Sequence, residues 1–168
     1  MKTFFTRLVG AFLPLIFIVI GISAQAQGKD KNEIKPDQRL YNCFTKEYVD
    51  GLISNPRLLL YYNFYLDNSW FLSESKAEKP LPGSDISTVP LADNSVGANS
   101  LSIKGEFYSE DVTKFDVKTF NPLMYDFKTD ANYYTSYKLG NTGKAVIFYS
   151  HRKFAELYNA YLKSFNLE

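Results

Sequence analysis

Apolar and polar positions change period twice along the last third of the chain. Tyr133 to Leu139 is rich in the aromatic and β-branched types that fit the pleated surface of a strand. Gly140-Asn141-Thr142-Gly143 follows, with two glycines free to take positive φ, so the chain can reverse. Lys144 to Tyr149 then runs apolar on both faces, the pattern of a central strand covered on both sides. Ser150 is placed to cap the next element. Beyond it Phe154, Leu157, Tyr158, Tyr161, Leu162 and Phe165 recur at helical spacing and make one apolar stripe.

Upstream the periods are shorter. Thr45 precedes a two-to-three-turn helix in which Phe44, Tyr48, Val49 and Leu52 share a side, and Asn55-Pro56 ends it. Leu58 to Leu66 is the most apolar run outside the N-terminus. Its alternation (Leu58, Leu60, Tyr62, Phe64 and Leu66 on one face) predicts a central strand, with a buried helix as the alternative. Asn63, on the other face, then requires a hydrogen-bond partner. Asp67-Asn68 marks a turn, and Ser69 to Ser73 a return strand.

Periodicity is lost from 74 to 100, where prolines, glycines, Ser, Asp and Asn dominate. Such a stretch reads as a long loop, with Ile86, Val89 and Leu91 able to pin its middle to the body. Short strands are expected at Leu101/Ile103, Phe115/Val117 and Leu123/Tyr125/Phe127, with Gly105, Asn121-Pro122 and Asp130-Ala131-Asn132 as breaks. The pattern as a whole predicts an α+β fold. One mostly antiparallel sheet of five to seven strands carries a short N-terminal helix and an amphipathic C-terminal helix.

The N-terminus sets the compartment. Lys2 and Arg7 precede an apolar run from Leu8 to Ile22, and Ser23-Ala24-Gln25-Ala26 supplies small residues at a cleavage site. This is the three-part pattern of a secretory signal peptide over residues 1–26. The run is 15 residues, short of the roughly 20 that a spanning helix needs, so no transmembrane segment is expected in the mature chain. Residues 27–40, polar and carrying Pro36, read as a flexible lead-in, and 41–168 as a single domain.

Cleavage removes two of the 19 basic residues and leaves the 18 acidic ones. With no basic cluster in the remainder, nucleic acid is not an expected partner. Aromatic residues make up 17% of the chain, enough to furnish both a core and a contact surface. The leader ending in Ala-Gln-Ala and the Tyr/Phe/Asn-rich body resemble small exported proteins of Gram-negative bacteria. That resemblance implies a periplasmic or extracellular location and no particular activity.

Candidate chemistry is sparse. Gly140-Asn141-Thr142-Gly143-Lys144 has two residues between its glycines, then Ala145 and a strand, so it lacks the spacing and the helix of a phosphate loop. Cys43 and His151 are the sole cysteine and histidine and hence the only conceivable Cys–His pair. One of each cannot build a standard zinc site. Asp67-Asn68, Asp93-Asn94 and Glu110-Asp111 lack the interleaved spacing of a calcium loop. Neither a metal nor a cofactor is therefore expected.

Two classes of function remain. The leading one is a non-catalytic binding or accessory module for a protein, glycan or cell-envelope partner, with Trp70, Phe71, Tyr125, Tyr133, Tyr134 and Tyr137 as the candidate contact rings. The alternative is a secreted hydrolase with a carboxylate-based site among Asp116, Asp126 and Asp130. An inhibitor-type protein using the 74–100 loop is a third, weaker reading.

Overall fold

A computed structural model describes residues 34–76, 81–92 and 107–167. Among these the fold is α+β, with three α-helices and one four-stranded mixed sheet. The expected signal peptide, the first half of the lead-in, and the strand at Leu101/Ile103 with Gly105 lie outside the described residues.

The closing module forms as its periodicity dictates. β3 (Thr135–Lys138) and β4 (Lys144–Phe148) pair antiparallel, Tyr137 opposite Val146. The turn between them holds Gly140 at φ 52° and Gly143 at φ 76°, and Leu139 donates to the Lys144 carbonyl at 2.9 Å. Ser150 caps α3 (His151–Lys163), accepting the Lys153 N–H at 3.2 Å.

The apolar run 58–66 is helical, which corrects the strand expectation. α1 (Lys46–Leu52), capped by Thr45, is followed after three residues by α2 (Pro56–Asn68). Asn55 caps α2 through Leu58 N–H at 3.2 Å, and Pro56 occupies its first turn, where a missing N–H costs nothing. Asn55-Pro56 thus starts a helix as well as closing one. The strand alternation misled because α2 is apolar nearly all round: Leu59 and Leu66 enter a cluster with α1, while Tyr61, Phe64 and Tyr65 meet α3.

β1 (Trp70–Glu74) leaves α2 directly and pairs antiparallel with β4, Trp70 opposite Phe148. β2 (Ser84–Asp85) lies parallel to β3, so the strand order is β1-β4-β3-β2. The sheet is therefore smaller than the expected five to seven strands, and mixed. Phe115 and Val117 do not form a strand; Val112–Lys114 is a 3-10 turn, and a second turn covers 117–119. Pro122–Met124 is another 3-10 turn, capped by Asn121, and Tyr125 makes only an isolated bridge to Leu91.

Two apolar clusters hold the body together. One lies on a single sheet face, where Trp70, Tyr137, Val146 and Phe148 meet Ile86, Val89, Phe120 and Phe127. Ile86, Val89 and Leu91 do anchor the described part of the long loop, backed by Asp126 N–H to Pro90 O at 2.8 Å. The second cluster joins α1, α2 and the 3-10 turn Gln38–Asn42, and Met124 packs against both.

The lead-in is docked at its described end. Asn63 accepts the Asp37 N–H at 3.0 Å and donates to the Lys35 carbonyl at 2.8 Å, from a half-buried helical position. Arg39 forks onto Asp37 and also reaches Asp67 at 2.7 Å, and Leu40 is fully buried. The body therefore begins before residue 41. α3 also departs from expectation: it docks on α2 rather than on the sheet, through Phe64–Tyr161 rings 4.6 Å apart.

Candidate functional site

The six candidate rings divide by burial. Trp70, Tyr125 and Tyr137 are buried in the sheet cluster, which corrects their assignment to a contact surface. Each has its polar tip satisfied inside: Trp70 donates to Leu66 O at 2.9 Å, and Tyr125 to Glu110 at 3.2 Å. The Tyr137 hydroxyl both donates to the Lys128 carbonyl and accepts the Lys128 N–H, each at 2.8 Å. A buried tyrosine held in this way is a core residue.

Phe71, Tyr133 and Tyr134 lie outside that cluster. In the β1–β4 register Phe71 stands opposite Ile147, one residue out of phase with the buried Trp70–Phe148 pair. Tyr133 and Tyr134 are 75% and 57% exposed. Phe71, Tyr134 and Tyr149 form a ring triangle, with centroids 5.3 Å apart for Phe71–Tyr149, 5.6 Å for Tyr134–Tyr149 and 6.2 Å for Phe71–Tyr134. The structure thus adds Tyr149 to the candidate set.

Tyr149 also borders a cleft of about 480 Å³ between α2, α3 and the end of β4. Helical spacing builds both of its long walls. Tyr61 and Tyr65 come from one face of α2, Phe154 and Tyr158 from one face of α3. Tyr61 meets Phe154 and Tyr158 edge-on, at 5.8 Å and 5.4 Å, both with an interplanar angle of 89°. Also in the lining, Thr129 Oγ1 and His151 Nε2 are hydrogen-bonded at 2.6 Å. The first turn of α3 is fastened there by His151 N–H to Asp130 O at 2.9 Å and Arg152 N–H to Ala131 O at 3.2 Å.

The cleft is electrically quiet. Its described lining holds no carboxylate, lysine or arginine. Burial pushes the Tyr65 hydroxyl up to about 12, with Tyr61 adding to the rise and Ser69 opposing it. Ser69, in the lining, is 3% exposed. Its Oγ neighbours the Tyr65 hydroxyl but closes no hydrogen bond of ordinary geometry.

The other candidates are placed elsewhere. Cys43 is buried among α1 and α2 residues, bonded to Arg39 O at 3.4 Å and approached by Asn121 Nδ2 at 3.1 Å. His151 has Thr129 as its side-chain partner, so the two residues lack the mutual bond that nucleophile activation requires. Among the described residues no group of three or more His, Cys, Asp or Glu is placed to hold a metal ion. Asp67 is taken by Arg39, Asp111 caps its own 3-10 turn, and Asp93-Asn94 lies outside the described residues.

Asp116, Asp126 and Asp130 each serve their own loop. Asp116 accepts the Lys118 N–H at 2.9 Å, Asp126 pairs with Lys128, and Asp130 accepts the N–H groups of Asn132 and Tyr133 at 2.7 Å and 2.9 Å. Those two backbone bonds hold the Asp130 carboxyl below the usual range, the opposite of what a general acid needs.

No protein-family model, curated protein or solved structure matches the chain. No helix among the described residues is long and apolar enough to cross a membrane.

The cleft escaped the sequence reading through a wrong period. With 58–66 taken as a strand, Tyr61 and Tyr65 fall beside Asn63 on a sheet face. Read with helical spacing they are one turn apart and complementary to Phe154 and Tyr158, the same interval on α3.

Proposed function

We propose that the chain is an exported, non-catalytic binding module that holds a cell-envelope partner, protein or glycan, on a surface of aromatic rings. The observation that carries this reading is the continuity of the Phe71–Tyr134–Tyr149 triangle with the cleft, through Tyr149. Tyrosine and phenylalanine give large contact area with few rotors to freeze, so they supply much of the affinity at many interfaces. The tripartite N-terminus supports export, with cleavage after Ala26 and a periplasmic or extracellular destination.

The hydrolase alternative draws no support from a specific observation. Its three aspartates are engaged as turn caps and ion pairs, and none lines the cleft. A carboxylate pair working on a sugar needs two such groups facing one another.

Two measurements test the reading. Mass spectrometry of the exported form should find Gln27 at its N-terminus. The purified chain should co-sediment with isolated cell-envelope fragments, and the double substitution Phe71→Ser, Tyr134→Ser should weaken that retention by about tenfold or more, as loss of interface anchors does. Retention that is absent, or indifferent to the double substitution, rules the reading out.

A further inference from the structure

The sheet has two edges, and they are unlike. β2 holds two residues, and so short an edge strand offers little to pair with. β1 is five residues long, and its ladder with β4 runs unbroken from Trp70–Phe148 to Glu74–Lys144. It carries no bulge, proline or lysine, the usual guards of an exposed edge. Its one charge, Glu74, stands at the end.

Hydrogen-bond phase determines which backbone groups face outward. Tyr149 N–H donates to Ser69 O at 3.0 Å, and Ser75 N–H donates to Gly143 O at 2.8 Å. Phe71 and Ser73 share that phase and turn their N–H and C=O toward β4. The residues between them, Trp70, Leu72 and Glu74, turn theirs away from it. Among the described residues no strand lies beyond β1, and no backbone group bonds to that outward row. Such a row is a template for one more extended strand.

β1 of a second copy fits it. Turned antiparallel about Leu72, it sets Leu72 against Leu72 and each Trp70 against Glu74 of the other copy. Every outward group is then used, in about six bonds. Charge does not oppose the pairing, because Glu74 is already paired with Lys144 of its own sheet at 3.3 Å. The two Glu74 residues would stand roughly 14 Å apart along the strands, beyond a Debye length of about 8 Å. The two Phe71 residues become diagonal neighbours at roughly 7–8 Å, within reach of aromatic side chains. The Phe71–Tyr134–Tyr149 triangles of the two copies then make one band of rings across the twofold axis.

We propose that the chain pairs with a second copy of itself through the outer edge of β1, so that two sheets become one. The inference goes beyond the envelope-binding reading and does not depend on it. An edge of five residues makes a small interface, so the dimer is weak and concentration-dependent.

Sedimentation equilibrium of the purified chain from about 1 μM to about 1 mM should show monomer and dimer in exchange. Over that range, amide exchange at Leu72 and Glu74 should slow as concentration rises. Exchange at Phe71 and Ser73, already bonded to β4, should not change. Glu74→Pro removes one outward N–H per copy and leaves the β4 ladder its donors. It should weaken the dimer about tenfold or more, the loss of two hydrogen bonds. Glu74→Ala removes the same carboxylate, keeps the N–H, and should dimerise as the wild type does.

A chain that stays monomeric throughout the range overturns the proposal. So does a dimer in which Leu72 exchanges as fast as in the monomer, or one that the two Glu74 variants weaken equally, since either puts the contact on another surface. Should Glu74→Pro fail to fold, the concentration dependence of Leu72 exchange in the wild type decides the matter. If Leu72 exchange slows only when envelope fragments are added to a monomeric chain, the edge takes a foreign strand and the second copy is ruled out.

Discussion

Asn121 Nδ2 donates to the Arg39 carbonyl at 2.7 Å, and the Arg39 guanidinium returns a bond to the carbonyl of Phe120 at 3.2 Å. This reciprocal pair joins the turn before Pro122–Met124 to the 3-10 segment Gln38–Asn42, so that the start of the body is closed against its middle. Asn121 is almost fully buried, and its Oδ1 also caps the turn through Leu123 N–H at 3.1 Å. Asn121→Ala would leave the Arg39 carbonyl with the Cys43 thiol as its side-chain donor and remove the cap. It should lower stability by about 1–3 kcal/mol, the sum of a lost buried hydrogen bond and a lost cap. Urea unfolding of wild type and variant would measure this; a difference below about 1 kcal/mol would mean that the pair contributes only geometry.

The parallel pairing of β2 with β3 depends on Gly83. Its φ is +123°, and a Cβ added there would lie 2.2 Å from the Ser136 carbonyl oxygen, a distance that side-chain adjustment cannot relieve. Gly83→Ala should therefore displace β2 from β3 and cost at least about 2–3 kcal/mol, combining backbone strain with a steric clash. Hydrogen exchange should show faster exchange at the β2–β3 ladder with the β1–β4 ladder protected. Uniform loss of protection would show instead that β2 is part of a single cooperative unit.

The hairpin, the C-terminal helix and the helix after Thr45 were legible because each joins a clean period to a matching boundary: Gly140 and Gly143 for the turn, Ser150 and Thr45 for the caps. Illegible elements had a boundary but the wrong period, or no period. Leu58–Leu66 is apolar in both registers because α2 is covered by α1 residues on one flank and α3 on the other, and Pro56 was read only as a stop. β2 holds two residues, too few for alternation, and is placed by Gly83 against Ser136. The candidate rings were identified as a set, yet their division needed strand register: one residue separates core Trp70 from surface Phe71.

Cys43 should be unreactive in the folded protein. Burial pushes its thiol up to about 11, against a smaller opposing contribution from Asn121. At neutral pH it is therefore almost wholly protonated, and the thiolate is the reacting form. Ellman's reagent should modify it only in denaturant. The same shift has a sign for stability. The unfolded chain loses the proton near 9.0 and the folded chain keeps it to about 11, so stability falls as pH rises through that window. Tyr65, raised to about 12, extends the loss in the same direction at higher pH. Rapid labelling at pH 7, or a stability flat from pH 8 to 11, would contradict the burial.

Phe64 couples α3 to the rest of the body. It is 8% exposed, stacks on Tyr161 at 4.6 Å and 30°, and meets Phe154 and Tyr158 at 5.7 Å and 5.6 Å. No other α2 ring touches three rings of α3 in this way; Tyr61 and Tyr65 line the cleft from the same face. Phe64→Ala should cost about 3–5 kcal/mol, the usual range for truncating a buried aromatic. Since Leu162 is the one buried residue of α3, much of that loss should appear as local release of the helix before global unfolding. Exchange of α3 amides should accelerate more than exchange in β4. If instead the α3 and β4 amides accelerate equally, α3 is fastened chiefly by its first turn, where His151 and Arg152 donate to the Asp130 and Ala131 carbonyls, and the ring stack is secondary.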